Sequence, residues 1–291
     1  MPSVVIAAHN EENVIGRCLS ALLVQQISAP LEVVVSANGC TDRTVAVATR
    51  PGVTVIDSPE LGKAAALNAG DEVATEFPRV YLDADIVVPP GGLTAVVERF
   101  AKTPHPLAVV PRRRVNTAGR PWPVRAYLSI NELLPAFRGG LFGRGMIALS
   151  EQGRKRFGAF PTMIADDLFI DSQFSDAEKA EASDVEVIVE APFTTRGLIR
   201  RLVRVRRGNA ELRAAATAGL VEVRVRTADR WAWLRDVVRL NPRLIPAVVP
   251  YVSITLIAGF LARRRVKTAP GWGRDESTRG EQSSETNGAS V

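Results

Sequence analysis

Short apolar runs alternate with helix-like segments through the first hundred residues, and this alternation limits the fold more than any other feature. Val4–Ala8, Leu31–Val35, Val53–Ile56 and Arg79–Leu82 read as strands. Between them, Glu11 to about Gln26, Asp42–Thr49 and Lys63–Val73 read as helices. In the first helix Val14, Ile15, Cys18, Leu19, Leu22 and Leu23 recur at helical spacing. Strands that alternate with helices imply an α/β fold with a mostly parallel central sheet and helices on both faces. Ligands of such sheets bind beyond the carboxyl ends of the strands. The four strands lead into "AHNEEN", "SANGCTD", "DSPELGK" and "DADI", so polar groups or glycine gather along one edge.

The last of these exits is the most unusual. "VYLDADIVV" places Asp83 and Asp85 one residue apart between strand-forming residues. A continuing strand would point both to the same face, whereas at an exit the chain turns, so that one can reach a ligand while the other bonds locally. Carboxylate oxygens suit hard cations such as Mg²⁺ or Mn²⁺, which complete their shells with phosphate. A turn with two capping aspartates is the plainer alternative. Further on, "IADDLFID" puts Asp166 and Asp167 at a helix start, where the helix dipole favours negative charge. "GGLFGRGMIALS" contains Gly143, Arg144 and Gly145, which permit close backbone approach or simply form a turn into a strand. Pro104 to Pro123 is rich in proline and arginine and reads as irregular connections.

Charge and hydropathy add a second layer. The net charge of +6 is matched by one window, Arg196–Arg213, with seven arginines and a single glutamate, Glu211. Such a stripe suits ligand phosphates or anionic lipid; nucleic acid is disfavoured because no nucleic-acid motif accompanies it. Leu244–Ala262 runs nineteen residues without a charge, between Arg243 and Arg263–Arg265, long enough to cross or enter a bilayer. Pro246 and Pro250 weaken a straight helix there, so a span, a hairpin and a packed helix all remain open. After Lys267 the chain is polar and reads as a disordered tail. The opening "PSVVIAAHN" reads as a strand rather than a leader segment. Cys18 and Cys40 lack metal-ligand spacing and read as packing residues in a reducing cytosol. With only His9 and His105, a histidine-built zinc site or a Ser-His-Asp triad is not indicated.

"IAAHNEENVIGRCLSAL", "VVVSANGCTDRT", "LGKAAALNAG" and "YLDADI", in that order, resemble the family 2 glycosyltransferases of GT-A fold, over roughly residues 2–210. The resemblance implies that Ala8, Asn10, Glu11, Asn38, Lys63 and Asp83 bind a nucleotide-diphosphate sugar. It also implies that Asp85 is the main ligand of Mn²⁺ or Mg²⁺. The family's run after the second strand has aspartate where Asn38 stands; asparagine offers a donor as well as an acceptor. By the same resemblance Asp167, beside Asp166, is the base that deprotonates the acceptor, and Gly143, Arg144 and Gly145 form the acceptor side. The membrane-bound members' Gln-x-x-Arg-Trp motif is missing, which disfavours a processive synthase. Arg204 and Arg207 are then candidates for the leaving diphosphate, or for lipid headgroups.

The expected organisation is a GT-A catalytic domain over 1–215, with a nucleotide-binding half to about 103 and an acceptor half over 104–215. A basic connection over 216–243, an apolar membrane segment over 244–262, as helix or hairpin, and a tail over 263–291 follow. The expected function is an inverting glycosyltransferase at the cytoplasmic face of the cell membrane, acting on a lipid-linked or cell-envelope glycan acceptor. A nucleotidyltransferase would open with a glycine-rich phosphate loop, and "AAHNEEN" contains no glycine. A catalytically silent, membrane-docked binding module would not need Asp83, Asp85 and Asp167 together.

Overall fold

β1 (Ser3–Ala8) is buried at every position, as a strand covered on both faces must be. Val4, Ile6 and Ala8 point into one apolar cluster, and Val5 and Ala7 into another on the opposite face. The computed structural model describes residues 1–25, 30–162, 165–221 and 229–264. After β1 come α1 (Ile15–Leu23), β2 (Glu32–Asn38), α2 (Thr44–Ala48), β3 (Thr54–Ser58), α3 (Lys63–Val73), β4 (Arg79–Asp83) and α4 (Gly92–Glu98). The later part contains β5 (Ala108–Asn116), α5 (Trp122–Asn131), α6 (Pro135–Arg138), β6 (Met146–Leu149) and α7 (Glu151–Arg154). It continues with α8 (Asp166–Ser172), β7 (Lys179–Glu190), α9 (Thr195–Thr217) and α10 (Val248–Arg263).

Among the described residues the seven strands form one sheet in the order β3-β2-β1-β4-β6-β5-β7. β1 to β4 are mutually parallel where they pair, and β6 runs antiparallel between β4 and β5. The chain leaves β1 toward β2 and β3 and returns to its other side as β4. The carboxyl ends of β1 and β4 therefore flank the switch point where open α/β sheets bind ligands. The expected α/β architecture, with an apolar C-terminal helix, is the one observed.

Three segments differ from the sequence reading. α1 begins at Ile15, because residues 11–14 form a turn in which the Glu11 carbonyl accepts the N–H groups of Val14 and Ile15. The stretch 104–123 is not wholly irregular: Ala108–Asn116 is a nine-residue strand paired with β7. Its proline is tolerated because Pro111 sits where the pairing register shifts, and a proline lacks the N–H an unbroken ladder needs. The apolar run 244–262 becomes a tight 3₁₀ turn over Pro242–Ala247 and then α10, so Pro246 falls in the turn rather than in the α-helix. The tail after Arg264 and residues 222–228 of the connection lie outside the described residues.

A third apolar cluster lies beyond the sheet. Val124, Tyr127 and Ile130 of α5 meet Leu198 of α9, Val237, Val238, and Tyr251 and Ile254 of α10. Tyr127 stacks on Tyr251 with ring centroids 5.1 Å apart.

The amino-terminal edge of the sheet is held by a buried polar network. Asp71 of α3 accepts from the Arg79 guanidinium, from the Tyr81 hydroxyl at 2.9 Å and from Arg154 Nε at 3.1 Å. Arg79 also donates to Ser3 Oγ and to the Ala74 carbonyl. Removing the carboxylate would leave the Arg79 charge buried without its counter-ion. Asp71→Ala should therefore lower stability by about 3–5 kcal/mol in equilibrium urea unfolding; a loss below about 1 kcal/mol would show that the network contributes little.

Candidate active site

The opposite edge of the sheet gathers the acids. Asp83 ends β4, and its N–H donates to the Gly145 carbonyl at 2.8 Å. The chain then turns, leaving Asp85 exposed and Ala84 and Ile86 buried. Lys63, the first residue of α3, reaches across with its ammonium 2.8 Å from Asp83 Oδ1 and 2.9 Å from Asp166 Oδ2. One lysine thus joins the β4 exit to the start of α8. The cleft around it is lined by Ala7, Leu67, Tyr81, Gly143, Met146, Asp167 and Ile170.

Asp167 is fixed by two backbone donors. Gly143 N–H reaches its Oδ2 and Leu168 N–H its Oδ1, both at 2.8 Å. Gly143 has a φ of +69° and Gly145 of +71°, conformations that favour glycine. A Cβ on Gly145 would also come 2.5 Å from the Ile86 side chain. These two glycines let one turn contact both Asp83 and Asp167. Burial pushes the Asp167 carboxyl up to about 6; the neighbouring Asp166 adds to the rise, while Lys63 and the Gly143 N–H oppose it. Asp83 moves the other way. Burial opposes its charge, but Lys63, helped by Arg201 and Arg204, outweighs that and holds it below the usual carboxylate range. Lys63 in turn is desolvated, yet Asp166 and Asp83 hold it firmly protonated, well above the usual lysine value.

The exits of β1 and β2 interlock beside this cleft. Asn10, at a φ of +55°, accepts the Thr41 N–H on its side-chain oxygen at 2.7 Å. Glu12 N–H donates to Asp42, and the Glu12 carboxylate takes the Arg43 N–H. Glu11 is buried, with its N–H on Thr44 Oγ1. Asn38 is buried, its side-chain oxygen accepting the Ser36 hydroxyl at 2.9 Å, while His9 Nδ1 lies 2.7 Å from its carbonyl oxygen. Ala8 is the buried last residue of β1.

The structure brings Lys63, Asp83, Asp166, Asp167, Gly143 and Gly145 together. It turns the guanidiniums of two arginines elsewhere. Arg144 borders the cleft, but its guanidinium is buried against Glu181 and the carbonyls of Pro111, Phe137 and Gly140. Two glycines that turn their backbone toward the acids leave the side chain between them pointing away. Arg207 donates to the carbonyls of Leu261 and Arg264 at the end of α10. Within the same stripe, Arg201 and Arg204 act on Asp83, and Arg201 was not singled out from sequence. Arg113 was also missed; it donates to the Gly143 carbonyl at 3.0 Å and covers the Phe137 ring. Three consecutive arginines, 112–114, carry no alternation that would mark a strand or single out Arg113.

Asp85 has the right chemistry for a hard divalent cation: an exposed carboxylate at a strand exit. Among the described residues, no group of three or more His, Cys, Asp and Glu side chains is placed to hold a metal.

The model of the family described as Glycosyl transferase family 2 matches residues 3–149, just over half of the chain, and the chain belongs to that family. It is 34% identical over 90 residues to the 4,4'-diaponeurosporenoate glycosyltransferase of Staphylococcus aureus (strain MRSA252), covering 29% of this chain and 24% of that protein. The match thus spans about a quarter of that relative's length. Among solved structures, the mannosyltransferase PcManGT of Pyrobaculum calidifontis, in complex with GDP-Man and Mn²⁺, is 20% identical with a TM-score of 0.57. That likeness covers 91% of this chain and 76% of PcManGT. S. aureus TarS 1-349 in complex with UDP-GlcNAc is 17% identical, covers 65% of this chain and 58% of its own, and has a TM-score of 0.51. These likenesses show the fold.

Lys63→Ala would remove the cation that lowers the Asp167 carboxyl. The Asp167 pKa should then rise from about 6, read by carbon-detected NMR titration of its side chain; a fall would contradict the arrangement described.

Proposed function

We propose that the protein is an inverting glycosyltransferase. It would move a sugar from a nucleotide-diphosphate sugar to a lipid-linked or cell-envelope glycan acceptor at the cytoplasmic face of the membrane. The observation that carries this reading is the Lys63 bridge, which sets a β4-exit carboxylate beside an acid pair in one cleft. Family membership over residues 3–149 supports it. The donor would lie along the exits of β1, β2 and β4, with its nucleotide near Ala8, Asn10, Glu11 and Asn38. Asp83 and Lys63 would orient its ribose and diphosphate.

Asp167 is the proposed base. Its two backbone hydrogen bonds leave each carboxylate oxygen a further lone pair. The acceptor hydroxyl would give its proton to Asp167 as its oxygen attacks the anomeric carbon. The bond from that carbon to the diphosphate oxygen breaks, and the nucleotide diphosphate leaves with the electron pair. Attack opposite the leaving group inverts the anomeric centre. Lys63, Arg201 and Arg204, whose charges act at Asp83, would meet the departing negative charge. A divalent cation held through Asp85, Mn²⁺ or Mg²⁺, would supply further charge neutralisation on the diphosphate when bound.

A thermal-shift screen of nucleotide sugars with and without Mn²⁺ tests donor binding; a shift with one donor that needs the metal is expected. Absence of any shift would count against the reading. Asp167→Asn should keep that shift and lower turnover by about 10²–10⁴-fold. A binding module would be unaffected by the change. In the wild type the base must be ionised, so kcat/KM should fall about tenfold per pH unit below about 6 and level off above it. A flat profile between pH 5 and 7 would remove Asp167 from the role.

A further inference from the structure

α10 is apolar on two sides, and only one of them is covered. Pro250, Tyr251, Ile254 and Ala258 are buried, in contact with α5 and α9. Arg206 Nη1 donates to the Thr255 carbonyl at 2.8 Å, and a Cβ on Gly259 would come 2.7 Å from the same guanidinium atom. On the other side Val249 is 71%, Leu256 66% and Phe260 57% exposed, and Ile245 extends the stripe at 61%. The spacing of 249, 256 and 260 puts these residues on one helical face. Exposed arginines flank it: Arg239 and Arg243 before the helix, Arg263 and Arg264 at its end.

By length and composition the helical segment Pro242–Arg263, twenty-two residues, could cross a bilayer; its neighbours argue against a span. α9 packs alongside, tied to α10 by Arg206 and Arg207. Threading α10 through a bilayer would draw the arginines of α9 with it, at roughly 2.5–3.5 kcal/mol for each at the centre. Otherwise it would strip α10 from Tyr127, Leu198 and their neighbours. A helix lying in the interfacial plane keeps every packed contact, immerses the exposed stripe and leaves the arginines at headgroup level.

We infer that α10 is an in-plane docking helix for an anionic lipid surface, inserting Val249, Leu256 and Phe260 while Arg239, Arg243, Arg263 and Arg264 meet the headgroup phosphates. This gives the membrane-side acceptor of the proposed function a definite face on the molecule, and it rests on that reading only for its purpose. α9 connects the two sites: Arg201 and Arg204 act on Asp83, and Arg206 and Arg207 hold α10. Packed helices lie about 8–10 Å apart, so a docked α10 holds the cleft within about one helix of the lipid.

Cosedimentation of the full chain with vesicles tests this. Binding to phosphatidylglycerol-containing vesicles should exceed binding to pure phosphatidylcholine vesicles by at least tenfold and weaken with salt. The variant Arg239→Gln/Arg243→Gln should lose roughly fivefold for each arginine removed. Val249→Glu/Leu256→Glu/Phe260→Glu should abolish binding; if that chain does not fold, the arginine pair decides. Alkaline carbonate should release the bound wild type. Retention after carbonate would mean a span and overturn the inference, as would equal vesicle binding by the folded variants. A concentration-dependent dimer without vesicle binding would also overturn it, by showing that a second copy covers the face. A wild type that binds vesicles but no nucleotide sugar would overturn the transferase reading and leave the docking surface intact.

Discussion

Asp83, Asp166 and Asp167 share one cleft, and three carboxylates repel one another. Like charges about 4 Å apart cost roughly 4 kcal/mol in a partly screened protein environment. Lys63 answers most of this, because one ammonium contacts both Asp83 and Asp166. The remaining tension falls on Asp167, whose carboxyl is raised by burial and by Asp166 more than Lys63 lowers it. A single ion-paired lysine thus ties the start of α3 to the exit of β4 and holds Asp83 below the usual carboxylate range, while burial keeps Asp167 above it. A base needs an elevated pKa and a donor-site acid needs a low one, and the cleft provides both.

The two edges of the sheet use charge differently. At the amino-terminal edge Asp71, Arg79, Tyr81 and Arg154 satisfy one another in the interior, and the network joins α3, β4 and α7. At the carboxyl-terminal edge the acids stay half-open to the cleft. α3 runs between the two, contributing Lys63 at one end and Asp71 toward the other. The helix that anchors the closed network therefore also aims the lysine at the open one.

Much of this was legible because periodicity and position survive folding. The α3 boundaries, Lys63–Val73, and the four parallel strands with their shared exit edge follow from the apolar spacing. The acid pairs could be picked out because each stands at an element end, where polar residues interrupt an apolar pattern, whereas Lys63 was legible only through the family resemblance. Side-chain direction was not legible. Arg144 sits between two glycines that look like a ligand loop, yet their positive φ values rotate it into the protein against Glu181. β5 was hidden because Pro111 and three arginines mask a strand whose register breaks at that proline. Asn38 departs from the family's aspartate, and its setting offers a physical account: a buried amide can accept the Ser36 hydroxyl without carrying a charge into the interior.

The arginine stripe is where composition said most and located least. As a sequence it is one basic block; as α9 it is a helix with separate duties by angle. Leu198 and Leu212 enter two different apolar clusters, Arg201 and Arg204 act on the acidic cleft, and Arg206 and Arg207 close the last turns of α10. A long charged side chain can do this because its stem packs while its head reaches a distant carbonyl or carboxylate. The arginines bound to the carbonyls of α10 and the guanidiniums that act on Asp83 thus stand on one helix. The apolar face and the acidic cleft are therefore not independent features of the surface, since one helix carries the contacts of both.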